Sequence, residues 1–228
     1  MARSLAFLHT VTDLVPVFEE LAARYLPDWT PFNIVDESLL RNTIKQGELT
    51  KGTMQRVANY IRSAVDGGAE AILVTCSSIG PAVDAARPFC PVPLVRVDEG
   101  MVDLALTTGK RIGVLATLAS TLRPTEDLIR TRATQQGYQP TIIARLCDRA
   151  FERLSAGDRA GHDTAIVEGI AALEQEVDVI VLAQASMARA AADPRFEETG
   201  IPILSSPELG ILHFRSLLPG TGTKTELV

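Results

Sequence analysis

The sequence of 228 residues has few metal-binding residues and no cluster of basic ones. Its three cysteines and three histidines are scattered, without the paired spacing of a zinc site. A net charge of −6 without any basic run argues against nucleic acid or an anionic membrane surface as a partner. Three cysteines also fit a reducing compartment better than a disulfide framework. We therefore expect a cytoplasmic protein without a metal site.

Long apolar runs are also absent, since the longest are the size of a strand and too short to cross a bilayer. Residues 1–5 lead directly into a strand pattern and lack the layout of a signal peptide. With 46% hydrophobic and 22% charged residues, the composition is that of an ordinary globular protein. These features predict no association with a membrane.

Apolar, β-branched runs alternate with stretches of helical periodicity, which predicts a parallel sheet covered by helices on both faces. Strands are predicted near residues 4–9, 31–35, 70–75 and 93–97, and again near 111–116, 140–145, 178–183 and 201–205. Helices are predicted near residues 12–26, 50–66, 79–87 and 98–108, and again near 120–136, 162–175, 186–192 and 206–217. The polar, less periodic segment 36–49 is predicted to be an active-site loop.

The two halves of this α/β pattern repeat each other. Residues 71–78 align with residues 179–186, each an apolar strand followed by a small polar turn, and Cys76 falls opposite Gln184. A duplicated unit of this kind has a pseudo-two-fold axis, near which the matching strand ends meet. We therefore expect two pseudo-symmetric parallel-sheet α/β halves, with the active site in the cleft between them.

The boundary between the halves is predicted at Gly109. The first half, residues 1–109, carries Cys76, and residues 206–228 are expected to pack on it. The second half, residues 110–205, carries Gln184. A homo-oligomer is expected because symmetric assemblies are common among soluble proteins.

Ligands of open parallel sheets bind beyond the carboxyl ends of the strands, where this sequence places short polar side chains around a thiol. The candidate site residues there are His9, Thr10, Cys76, Ser77, Ser78, Thr117, Gln184, Ala185 and Ser186. Hydroxyl groups and N–H groups at helix N-termini can hold a carboxylate. The same helix N-terminus is expected to lower the pKa of Cys76, which then serves as general base, proton donor or nucleophile.

Structural interpretations of the same residues remain open. A cysteine at the end of a buried strand can be a small packing residue. His9 can be a hydrogen-bonded core histidine instead of a substrate contact. Thr117 can cap the following helix, donate to a ligand, or do both. Cys90 is expected to be a packing residue.

Residues 74–78, 114–117 and 181–187 together resemble the aspartate/glutamate/hydantoin racemase superfamily, which also contains maleate isomerase and arylmalonate decarboxylase. The resemblance implies two pseudo-symmetric α/β halves with the active site between them. It also implies a cofactor-independent reaction at a carbon next to a carboxylate or carbonyl of a small molecule. The resemblance further implies that the residues at the family's carboxylate-binding positions bind a substrate carboxylate here. These residues are Ser77, Ser78, Thr117, Ala185 and Ser186.

The sequence departs from the resemblance at one catalytic position. In racemases of this superfamily, two cysteines face the substrate carbon from opposite sides. Cys76 matches the first, but Gln184 stands at the second, and a carboxamide is no acid or base near neutral pH. A second base would then come from elsewhere, with the candidates His9, Asp36, Glu37 and Cys147.

Three functions follow from this departure. The leading one is an isomerase or racemase with Cys76 as its single catalytic cysteine and Gln184 binding or polarising the substrate. A decarboxylase or other lyase needs only one proton donor, which Cys76 would supply. The third is a carboxylate-binding protein that has lost catalysis.

Overall fold

In the computed structural model, which describes residues 3–196 and 200–219, the chain forms two four-stranded parallel sheets. The strands of the first sheet are β1 (Arg3–His9), β2 (Trp29–Val35), β3 (Ile72–Val74) and β4 (Leu94–Arg96), and those of the second are β5 (Arg111–Ala116), β6 (Thr141–Leu146), β7 (Val179–Leu182) and β8 (Ile203–Ser205). Their orders are β2-β1-β3-β4 and β6-β5-β7-β8, and every pairing is parallel. Both sheets thus share one topology, which confirms the predicted α/β duplication.

Helices connect the strands, as their sequence period predicts. They are α1 (Leu14–Tyr25), α2 (Glu37–Gln46), α3 (Lys51–Asp66), α4 (Gly80–Ala86), α5 (Glu99–Thr108), α6 (Ala119–Gln135), α7 (Ala150–Ser155), α8 (Arg159–Leu173), α9 (Ala188–Ala191) and α10 (Ser206–Leu217). The eight predicted strands and the eight predicted helices are confirmed. The short helix α7 was not predicted.

The prediction of a loop over residues 36–49 was wrong, because most of this segment is helix α2. Asp36 caps the helix by accepting a hydrogen bond from the Ser38 N–H at 2.9 Å, and Gly47 ends it with a φ of 71°. Leu39, Leu40 and Thr43 are buried, so the apolar face of α2 is narrow. Because so few residues of the segment are apolar and buried, its sequence shows little helical periodicity.

Alternate side chains of the strands enter separate cores on the two faces of each sheet. On one face of the second sheet, Leu115 of β5 and Ile180 and Leu182 of β7 pack against Ile166 and other apolar residues of α8. The opposite face packs against α5 and α6. The first sheet is divided in the same way, with α3 and α4 on one face and α1 and α10 on the other.

The helix that follows the last strand of each sheet packs on the other sheet. Phe214 of α10 lies in a core with Phe7 of β1, whereas Met101 of α5 lies in a core with Val114 of β5. Gly210 allows the close crossing, since a Cβ there would overlap the carbonyl oxygen of Val97. The division at Gly109 stays a prediction, and residues 220–228 of the segment expected to pack on the first half lie outside the described residues.

Candidate active site

Cys76 lies directly beyond the carboxyl end of β3, on the sheet face that α3 covers. Its side chain continues the alternation of Ile72 and Val74 and packs at the edge of their core. Residues 77–79 then form a single 3-10 turn before α4. The N–H groups of Ser78 and Ile79 and the Ser78 hydroxyl lie close enough to the Cys76 sulfur to lower the pKa of the thiol. The thiol therefore sits in a cradle of donors.

Thr10 occupies the matching position beyond β1 and completes this cradle. Its side chain is 2% exposed and lies close enough to the Cys76 thiol to lower the pKa of that thiol. Within the described residues, its hydroxyl oxygen has no well-aligned hydrogen-bond partner. A buried hydroxyl without a partner is costly, so this oxygen is available to a ligand.

Burial raises the pKa of the Cys76 thiol. The surrounding donors lower this pKa by a smaller amount, so the pKa is raised overall. The N–H groups after Cys76 lower this pKa, as predicted, but the predicted net decrease that would favour the thiolate was wrong. Loss of water disfavours the thiolate more than one short turn of N–H groups favours it. Near neutral pH the group rests as a thiol, which is a proton donor.

Gln184 and Thr117 occupy the equivalent positions in the second half and bind each other. The Gln184 Oε1 accepts a hydrogen bond from the Thr117 N–H at 2.6 Å, and its Nε2 donates to the Thr117 hydroxyl at 2.8 Å. Helix α6 begins at Ala119 with Leu118 as its N-cap, so Thr117 does not cap the helix. The carboxamide is thereby fixed, and one N–H and one lone pair remain for a ligand.

Direct contacts join the two strand-end clusters. The Ser78 and Thr121 hydroxyls lie 2.6 Å apart and connect the turn behind Cys76 to the first turn of α6. Arg159, at the start of α8, forms a 3.2 Å ion pair with Asp13, three residues after Thr10. The strand ends of the two sheets that carry Cys76 and Gln184 therefore lie on the same side of the molecule, next to each other.

The remaining predicted binding residues differ in their exposure. Ser77 is 5% exposed and belongs to the turn after Cys76. Ala185 and Ser186 are half-buried in the corresponding 3-10 turn after Gln184. Each of these residues thus follows the strand end at which the sequence placed it.

His9 is completely buried, and both of its ring nitrogens are occupied. Its Nε2 lies 3.0 Å from Asn33 Oδ1, and its Nδ1 lies 2.8 Å from the Thr75 hydroxyl. Burial lowers the pKa of His9, while Asn33 and Glu19 act in the opposite direction. His9 thus connects the end of β1 to β2 and to Thr75, the residue before Cys76.

The carboxylates considered as a second base are engaged elsewhere. Burial alone would raise the pKa of Asp36, but hydrogen bonds from Ser38 and Tyr60 and the charge of Arg56 bring it below its ordinary value. Glu37 is exposed and accepts a hydrogen bond from Thr12 at 3.1 Å.

Cys147 lies in the core between α8 and the second sheet. It is 7% exposed, and a Cβ on Gly169 of α8 would lie 2.8 Å from its sulfur. Burial, followed by the charges of Asp148 and Glu168, raises the pKa of Cys147 to about 11. Cys147 is therefore a packed thiol with little tendency to ionise.

A buried guanidinium supports the turn that carries the thiol donors. Arg96 is 3% exposed and binds both carboxylate oxygens of Asp98, at 3.0 and 2.8 Å, and Asp84 at 2.6 Å. A Cβ on Gly80, the first residue of α4, would overlap the guanidinium. Arg96 is consequently committed to this network instead of to a substrate carboxylate.

His162, on the first turn of α8, was missed by the sequence reasoning. It is completely buried, and its Nδ1 lies 2.8 Å from Asp163 Oδ1. Its Nε2 is buried and has no hydrogen-bond partner among the described residues. The available signal was its spacing of four and eight residues from Ile166 and Ile170, which places a histidine on an apolar helix face.

Residues 3–196 and 200–219 contain neither a metal-binding cluster nor a membrane-spanning helix. No group of three or more His, Cys, Asp or Glu side chains is arranged to hold a metal ion. No helix in the same ranges is long and apolar enough to cross a membrane.

Comparison with known proteins gives consistent matches. The family model described as Asp/Glu/Hydantoin racemase matches residues 8–213. A hydantoin racemase from Pseudomonas sp. (strain NS671) is 27% identical over 170 residues, 74% of this chain and 66% of that protein, just under two thirds of its length. Picrophilus torridus aspartate racemase has a TM-score of 0.72 at 14% identity, covering 94% of both chains. Allantoin racemase from Pseudomonas fluorescens has a TM-score of 0.66 at 20% identity, covering 94% of this chain and 90% of its own.

Proposed function

The chain belongs to the Asp/Glu/Hydantoin racemase family, and from that premise we propose that it is a cofactor-independent racemase of a small carboxylate or carbonyl compound. The observation that carries this proposal is the donor cradle around Cys76 at the strand end. A thiol held there can exchange a proton with a substrate carbon. The carbon would be one whose hydrogen is acidified by an adjacent carboxylate or carbonyl.

The binding roles follow from which donors are free. The Thr10 hydroxyl has no well-aligned partner among the described residues and lies beside the thiol, so it would bind the substrate's carboxylate or carbonyl oxygen. Ser77 and Ser78 would add donors from the same turn. His9 would act as a positioning residue, since its nitrogens are bound to Asn33 and Thr75.

Gln184 would polarise the substrate from the second half. Its position is fixed by two hydrogen bonds to Thr117, which leave one N–H of the carboxamide for a substrate oxygen. An amide donor stabilises negative charge on an enolate without taking up the proton. Ala185 and Ser186, in the turn that follows, would bind the same group through their N–H groups.

A lyase is the second candidate, and the protonation of Cys76 favours it. Because burial raises the pKa of this thiol, it rests as an acid that can protonate a carbanion left by decarboxylation. Such a reaction requires one proton donor and no base on the opposite face.

Chiral chromatography of a substrate panel tests these functions. The panel contains both enantiomers of aspartate, glutamate, 5-methylhydantoin and allantoin, together with phenylmalonate and maleate. Wild type is compared with Cys76→Ser and with Cys90→Ser, in which a half-buried cysteine outside the strand-end site is replaced. The proposal expects interconversion of one enantiomeric pair that only Cys76→Ser abolishes. Loss of CO2 from phenylmalonate would favour the lyase, and binding without any turnover would refute the catalytic proposal.

A further inference from the structure

His162 lies on the face of the second half toward which Gln184 and Thr117 project. Ile166 and Ile170 of α8 share a core with Leu115, Ile180 and Leu182, whose side chains point to one face of the sheet. Side chains alternate between the two faces along a strand, so those of Thr117 and Gln184, two residues further on, point to the same face as those of Leu115 and Leu182. Helix α8 therefore covers the side of the sheet from which these two polar side chains extend.

The start of α8 lies at the carboxyl edge of the second sheet. A Cβ on Gly169 of α8 would lie 2.9 Å from the Leu115 side chain, and Leu115 of β5 is in register with Leu182 of β7. His162 lies seven residues before Gly169, a displacement of about 10 Å along the helix. Because α8 runs antiparallel to β7, this displacement leads beyond the carboxyl edge of the sheet, as the step from Leu182 to Gln184 also does.

Two ion pairs fix this first turn of α8 at the site. Asp163 is bound by Arg189 of α9 at 3.0 and 3.1 Å, and α9 begins four residues after Gln184. Arg159 binds Asp13, shortly after Thr10 of the first half. The turn carrying His162 is thus tied to both strand-end clusters.

The imidazole itself is arranged as a base. Asp163 Oδ1 lies 2.8 Å from Nδ1, which favours the tautomer with its proton on Nδ1 and leaves Nε2 as the acceptor. That Nε2 is completely buried and has no partner in the described part of the chain. A buried histidine that serves only packing would be expected to satisfy both nitrogens, as His9 does.

We propose that His162 is the second acid/base group, acting on the substrate carbon from the side opposite Cys76. This inference rests on the proposed racemase function. Nε2 takes the proton from the carbon, and the electron pair of the C–H bond moves into the adjacent carbonyl to form an enolate. The Cys76 thiol then gives its proton to the other face of that carbon. The imidazolium loses a proton to solvent and the thiolate gains one, which restores the starting state.

In this arrangement Asp163 is a positioning residue. Its carboxylate would stabilise the imidazolium that forms, as carboxylates do beside catalytic histidines. Arg189 in turn holds the carboxylate in place through two hydrogen bonds.

Deuterium incorporation from each separate enantiomer tests the inference. His162→Asn and His162→Gln are compared with His213→Asn, whose histidine lies on α10 and close to Asp103. Both His162 variants are expected to lose racemisation by about 10²-fold or more, the usual contribution of an acid/base group. They are expected to keep exchange from the enantiomer whose proton faces Cys76 and to lose it from the other. Cys76→Ser should give the opposite pattern.

Equal exchange of both enantiomers at the wild-type rate in a correctly folded His162 variant would overturn the inference alone. A loss as large in His213→Asn would also overturn it. Circular dichroism and melting curves establish folding, and the glutamine variant serves if the asparagine variant is unfolded. Absence of exchange in wild type would instead refute the proposed function. The 15N resonance of His162 Nε2 then still reports its location, because added 5-methylhydantoin or aspartate should shift it and leave His213 unchanged.

Discussion

Replacing Gly80 with alanine tests whether the Arg96 network supports the turn behind the catalytic thiol. The added methyl group would overlap the Arg96 guanidinium, which is 3% exposed and bound on both sides by carboxylates. Overpacking of this kind costs about 1–3 kcal/mol. If the guanidinium is forced away from Asp98, a completely buried carboxylate loses its partner, at a cost of about 3–5 kcal/mol.

We therefore expect Gly80→Ala to lower the free energy of unfolding by about 2–4 kcal/mol, between the two limits. For a chain of this size that corresponds to a fall in Tm of about 5–15 °C. Activity should fall further than stability explains, because Gly80 directly follows the turn whose N–H groups lie beside the Cys76 sulfur. Urea denaturation and scanning calorimetry measure the stability.

Gly52→Ala is the matched control, since Gly52 also lies in the first turn of a helix. A Cβ there meets only the Thr50 hydroxyl, at 3.9 Å. This variant should be neutral or more stable by up to about 1 kcal/mol. If Gly80→Ala unfolds at the same urea concentration as Gly52→Ala, the reasoning about the buried network is refuted.

Three further predictions concern the second half and the contact between halves. Gln184→Ala leaves the Thr117 N–H without its partner, so urea denaturation should show a loss of about 1–3 kcal/mol; no loss would contradict the 2.6 Å hydrogen bond. Burial raises the pKa of Cys147 to about 11 from 9.0, so between these values the thiol ionises in the unfolded chain but not in the folded protein. The contribution of Cys147 to the stability of the folded state is therefore fully present below pH 9 and is lost as the pH rises toward 11. Melting curves of wild type should therefore decline more steeply over that range than those of Cys147→Ala, and parallel curves would exclude the shift. A double-mutant cycle with Ser78→Ala and Thr121→Val should give a coupling of about 0.5–1.5 kcal/mol, whereas additive effects would show that the 2.6 Å contact contributes nothing.

The central strands β1, β3, β5 and β7 were predictable because each is an apolar run that is buried on both faces of a parallel sheet. The edge strands β2 and β6 are more exposed, and their β-branched and apolar residues made them recognisable. Helix α2 was not predictable in the same way. Its buried residues form only a narrow stripe, and its polar sequence is typical of a loop. The prediction failed where few buried residues reveal the helical period.

For the site, the position of Cys76 at a strand end followed from the sequence, but the direction of its pKa shift did not. That direction depends on how far burial outweighs the donors, which the sequence does not give. The pairing of Gln184 with Thr117 joins residues far apart in the chain. His162 was overlooked because a histidine on an apolar helix face is ordinarily a core residue.

The most direct test of the central claim is solvent deuterium incorporation at the substrate α-carbon, measured by mass spectrometry for wild type, Cys76→Ser and Cys90→Ser. If Cys76 is the catalytic acid/base, wild type and Cys90→Ser incorporate one deuterium per molecule of inverted product. Cys76→Ser then forms no inverted product and loses exchange from the enantiomer whose proton faces residue 76. Undiminished inversion and exchange in a folded Cys76→Ser protein would contradict the account.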